Sequence, residues 1–95
     1  MIKHTKPTLQ KVEQIFKELD YVVRYEKGNF NSGYCIVENK RVVVVNKFFD
    51  TDGRVNVLLD ILALIMEDES ILTDKSKQFY KNLVRNQELA NNNQE

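Results

Sequence analysis

Four consecutive valines, Val42, Val43, Val44 and Val45, place the tightest limit on what this chain can fold into. Side chains branched at Cβ lose rotamer freedom in a helix and fit a pleated surface, so the run reads as strand. Successive residues of a strand point to opposite faces, and this one is therefore apolar on both. A strand of that kind needs cover on both sides, where a one-sided sheet would alternate. The run lies near the end of residues 21–49, which read as strand, with helix-like sequence before and after.

Tyr21, Val23 and Tyr25 alternate with Val22, Arg24 and Glu26, so residues 21–27 form a strand with one polar side. Its charges suit a sheet edge, where they discourage pairing with another chain. Residues 28–33, Gly-Asn-Phe-Asn-Ser-Gly, form a turn-rich link in which either glycine can supply a positive φ. Strand character resumes over 34–38. Asn39 and Lys40 stand where a two-residue hairpin loop belongs. That loop sets Glu38 opposite Arg41, Val37 opposite Val42, Ile36 opposite Val43, Cys35 opposite Val44 and Tyr34 opposite Val45. The expected sheet is a three-stranded antiparallel meander.

The flanking segments carry helical periods. Leu9, Val12, Ile15, Phe16 and Leu19 recur at three and four residues behind Thr5 or Thr8 as cap, with Pro7 acceptable in a first turn. After the sheet, Thr51 or Asp52 is the expected cap of a second helix with the stripe Val55, Leu58, Leu59, Leu62, Ile65 and Met66. Val57, Ile61 and Leu64 are apolar as well, which predicts a long apolar helix that is central or lies at an interface. Thr73 or Asp74 caps a third helix to about residue 88, with Lys77, Lys81 and Arg85 along one face. Residues 89–95 are polar and read as a disordered tail.

At 95 residues the chain has room for one domain, expected over residues 1–88. No apolar segment is long enough for a membrane span, and no apolar stretch of signal-peptide type follows the first residues. One cysteine forms no internal disulfide and suits a reducing compartment, so a cytoplasmic protein is expected. Zero formal net charge disfavours a general grip on nucleic acid or anionic lipid. The charges are nevertheless segregated. Residues 1–47 hold nine Lys or Arg and five Asp or Glu, residues 48–74 one and seven, residues 75–95 four and two.

Most catalytic chemistry fails on residue type. The link at 28–33 has glycines at phosphate-loop spacing, but Tyr34 and Cys35 follow where Lys and Ser or Thr are required, and a strand follows where a helix is needed. Asp50-Thr51-Asp52-Gly53 imitates the middle of a calcium loop, yet Phe48 and Leu59 fall on its end ligand positions. His4 and Cys35 are too few for a structural zinc site, and no metal or other cofactor is expected. Cys35 has no histidine base beyond His4, which sits in a terminus expected to fray, so it reads as a buried packing residue. Asp60 interrupts an apolar helix and either lies on a narrow solvent stripe or, if buried, could act as an acid or base.

The run RYEKGNFNSGYCIVENKRVVVVNKFF, followed by RVNVLLDIL, resembles a group of short bacterial proteins of unknown function over most of the chain. The order of helix, meander and apolar helix is more distantly similar to the front half of ImmA/IrrE-type metallopeptidases. In that family the helix after the meander carries HExxH. Residues 54–66 contain no histidine, so the resemblance brings neither zinc nor peptidase activity to any residue here.

The fold expected is α+β: helix, three-stranded antiparallel meander, long apolar helix, third C-terminal helix. The leading functional expectation is a non-enzymatic interaction or scaffold protein that pairs with itself, or with another protein. It would bury surplus apolar surface from residues 42–45 or from Val57, Ile61 and Leu64. A second expectation is a small-ligand or weak hydrolytic pocket at the sheet mouth formed by Tyr25, Tyr34, Asn46 and Asp60. A third is nucleic-acid contact, made to phosphates by Lys77, Lys81 and Arg85 on the basic face of the third helix.

Overall fold

Thr5 begins the first helix in extended conformation, and Pro7 occupies its first turn. In the computed structural model, which describes residues 4–92 without the side chains of Val37 and of residues 87–92, helix α1 spans Lys6–Glu18. Leu9, Val12, Ile15 and Phe16 are its buried apolar stripe, as the three-and-four spacing requires. Asp20, at φ 69°, turns the chain out of the helix. Three strands follow, β1 Tyr21–Glu26, β2 Gly33–Val37 and β3 Lys40–Asn46, and then helices α2 Thr51–Ile65 and α3 Asp74–Asn92 with a short 3-10 turn, Glu69–Ile71, between them. The architecture is α+β, and α3 runs past residue 88 to Asn92; of the tail expected over residues 89–95, residues 93–95 lie outside the described residues.

The sheet is mixed. Its order is β1-β3-β2, with β1 parallel to β3 and β2 antiparallel to β3, where the sequence predicts a meander. A meander would leave β3, with its four β-branched residues, at an edge, whereas this order pairs both its edges. The six residues between β1 and β2 therefore step over the end of β3, a distance of about 10 Å for two strand spacings. The cover on both faces expected of the valine run is not found, since Val43 and Val45 are buried under the helices and Val42 and Val44 are only half-buried on the other face.

Asn46 holds that crossing in place. Its side-chain amide donates to the carbonyls of Gly28 (2.9 Å) and Phe30 (3.3 Å), its side-chain oxygen accepts from the Phe48 N–H, and its backbone N–H donates to Ser32 Oγ. Gly28 supplies the positive φ, 152°, and Gly33 is the first residue of β2. The hairpin between β2 and β3 also differs from expectation by one position. Glu38 and Asn39, with φ of 49° and 68°, form its loop, and Lys40 joins β3. Tyr34 consequently faces Val43, Cys35 faces Val42 and Ile36 faces Arg41. Moving a hairpin loop by one residue shifts each partner by two, so every side chain keeps its face.

The helices lie on one side of this sheet. Val43 and Val45 are fully buried beneath them, with Tyr21, Val23 and Tyr25 of β1 packed alongside. α1 packs on β1 and on both other helices, while α2 packs on β3. α2 contributes Val55, Leu58, Leu59, Ile61 and Leu62 to the core. It is an ordinary helix of fifteen residues, not the long apolar one expected, and Asn56, Asp60, Ala63 and Leu64 are exposed on it. Its cap is Asp50, whose carboxylate accepts from the Gly53 N–H at 2.8 Å; neither Thr51 nor Asp52 caps it. Asp52 instead lies 2.6 Å from His4 Nδ1, which ties residue 4 to α2 where fraying was expected.

Glu18 joins α1 to the start of α3. Its carboxylate accepts from the Thr73 N–H (2.8 Å), Thr73 Oγ1, Ser76 Oγ (2.6 Å) and Gln14 Nε2. Partial burial pushes this carboxyl up, but the donors from Ser76, Thr73 and Gln14 together outweigh it and hold the group below the usual glutamate range. A lowered folded-state pKa means that the carboxylate form stabilises the fold. That contribution is complete above the ordinary glutamate pKa and disappears as pH falls through the lower, folded value.

Two measurements test these polar anchors. Asn46→Ala is expected to lower stability by about 1–3 kcal/mol, read as a urea midpoint shift at unchanged slope. Glu18→Ala is expected to cost about 1–2 kcal/mol at neutral pH, and its difference from the parent protein should narrow below about pH 4.

Candidate functional site

The four residues expected at the sheet mouth stand on four different elements. Tyr25, on the helix-covered face of β1, donates its hydroxyl hydrogen to the Glu13 carboxylate of α1, and the Arg54 guanidinium lies 4.6 Å above its ring. Burial, reinforced by the bonded Glu13, pushes the Tyr25 phenol well up, and Arg54 offsets only part of this. It is a fixed donor bracing α1 against β1. Tyr34 is 45% exposed on β2, Asn46 is occupied with the loop crossing, and Asp60 is exposed on α2. Neither of two surface clefts among the helices, described below, includes any of these four.

Val57, Ile61 and Leu64 do not form one open face. Ile61 is buried, Val57 is packed on the core, and Leu64, next to the last residue of α2, is 72% exposed. The basic face of α3 is only partly assembled. Lys81 and Arg85 line a cleft of about 220 Å³ with Tyr80, Val84 and Glu69. Glu69 places a carboxylate where a phosphate would have to bind. Burial first, and then this carboxylate, raise the Tyr80 phenol. Lys77 is half-buried outside that lining.

β2 leaves apolar side chains uncovered. Tyr34 and Ile36 point to the helix side of the sheet, as Val43 and Arg41 opposite them do, but the main helix contacts are with β1 and β3. Ile36 is 65% exposed in consequence. Cys35 is exposed on the opposite face, so it is not the buried packing residue expected. No charged residue occurs from Gly33 to Val37. The other outer strand is guarded: Arg24 and Glu26 of β1 form a 2.9 Å ion pair. Placing β2 in the middle of a meander hid this surface. The usable signal was the valine run, which claims the central position and leaves its hairpin partner outside.

Other features limit the chemistry. Among the described residues no three of His, Cys, Asp or Glu come together as a metal site, and no helix is long and apolar enough to cross a membrane. The sequence matches no family model, no curated protein and no solved structure.

Ile61 and Leu64 separate core from surface. Ile61→Ala is expected to cost about 2–4 kcal/mol and Leu64→Ala less than about 0.5 kcal/mol in the same urea titration.

Proposed function

We propose that this chain is a non-enzymatic interaction module that pairs with a second copy of itself along β2. The observation that carries this reading is the unguarded outer edge of β2, neutral from Gly33 to Val37 and flanked by exposed Tyr34 and Ile36. An edge strand presents unpaired N–H and C=O groups, and natural sheets usually protect such edges with charge, proline or a covering element. Among the described residues this edge has none of the three, whereas β1 carries its ion pair.

Cys35 is the middle residue of a five-residue strand. Two such strands running antiparallel about a two-fold axis at Cys35 set Tyr34 of each copy opposite Ile36 of the other. The pairing is isologous, since the same patch serves both partners. The axis is normal to the sheet, so both helix layers lie on one side, and Tyr34 and Ile36 fill the space between them. The six-stranded sheet so formed supplies the cover that β2 lacks within one chain.

Light scattering at micromolar concentration is expected to give a dimer mass, and a clean monomer would overturn the reading. Ile36→Lys should yield a folded monomer, while Leu64→Lys should leave the dimer intact. A short bis-maleimide is expected to link Cys35 to Cys35 in the parent dimer and not in Ile36→Lys.

A further inference from the structure

We propose that the cleft between α1 and α3 binds a small amphiphilic carboxylate, an aromatic or short-chain acid with one negative charge. The cleft is lined by Lys11 and Gln14 from α1 and by Lys75, Ser76 and Phe79 from α3. Its volume of about 390 Å³ falls in the usual range for small-molecule sites. The inference does not depend on pairing along β2.

The lining combines an apolar floor with unpaired positive charge at the mouth. Phe79 is half-buried and packed on the core, which fixes its ring. Lys11 Nζ sits 5.4 Å from the centre of that ring, so the ring quadrupole holds the ammonium at the cleft. Lys75 is exposed at the same opening, and neither lysine forms an ion pair with a described residue. The Glu18 carboxylate, which bonds two of the lining side chains, is already engaged. It accepts from Gln14 Nε2 and Ser76 Oγ, two lining side chains, as well as from Thr73. Those bonds satisfy Glu18, and among the described residues neither lysine has an ion-pair partner.

The charge pattern selects the occupant. A neutral apolar molecule would leave both ammonium groups unanswered, and a multiply charged anion would gain little from the apolar floor. An acid with a compact apolar body places its ring against Phe79 and its carboxylate between Lys11 and Lys75. Lysine acts here as a flexible point charge, which suits a range of acids more than one fixed geometry.

The test is an amide ¹H–¹⁵N shift titration of the full chain with 2-naphthoate and, separately, with neutral 2-naphthamide. Saturable shifts confined to residues 11–14 and 75–79 are expected, with the amide at least about fivefold weaker because it lacks the charge-assisted contacts. The double variant Lys11→Gln, Lys75→Gln leaves the core untouched. It should keep the parent circular dichroism spectrum and bind both probes equally. Absence of saturable shifts at millimolar probe, shifts centred elsewhere, equal binding of acid and amide by the parent protein, or a preference retained in the double variant would each overturn the proposal.

Discussion

β3 is hydrogen-bonded along both edges, and the remainder of the structure depends on that arrangement. The four valines remove polar side chains from both faces of the strand, so an edge position would expose apolar surface next to unpaired backbone. Between β1 and β2 the backbone groups on both its edges are paired. One consequence is topological: the link from β1 must pass over the end of β3, and the hairpin must fold β3 back into the space left open. Asn46 closes that arrangement from the strand end, with one side chain serving both the crossing loop and the chain that leaves toward α2.

The helix layer is held to the sheet by burial and aligned by a few polar contacts. Phe16, Ile15, Leu58 and Val12 have almost no exposed surface, and together with Val43 and Val45 they form the centre of the core. Burial of this kind is non-directional. Direction comes from Glu18, which receives the start of α3, and from Tyr25, which joins β1 to α1 through Glu13 and to α2 through Arg54. Arg54 also donates to the carbonyls of Phe49 and Lys47, so the turn between β3 and α2 is fastened to the helix it begins.

One layer of helices on a three-stranded sheet cannot cover everything, and the uncovered parts differ in kind. The outer edge of β2 is neutral and apolar, which suits a partner that offers its own strand. Val22, 56% exposed, stands on the bare face of the sheet beside half-buried Val42 and Val44. The groove between α1 and α3 is apolar at its floor and positive at its mouth. Part of the charge segregation along the sequence is answered locally: Glu69 shares a cleft lining with Lys81 and Arg85, and Asp52 lies against His4.

Local sequence was enough for the elements and most of their inward faces. The stripe on α1, the alternation in β1 and the strand character of residues 42–45 were all legible, because each is a property of local period and side-chain shape. The hairpin was legible to within one residue from the strand-like runs on either side of Asn39, and its exact loop, Glu38 and Asn39 at φ 49° and 68°, was set by the pairing of β2 with β3. Strand order, the cap at Asp50, the exposure of Cys35 and the grouping of candidate site residues were decided by tertiary structure. Each depends on which element lies beside which, a competition among pairings distant in the chain that no local period encodes. The valine run carries both lessons. Its composition read as a strand covered on both faces, and the assembled sheet corrects that reading: β1 and β2 pair its two edges, the helices cover only the face of Val43 and Val45, and the face of Val42 and Val44 stays bare.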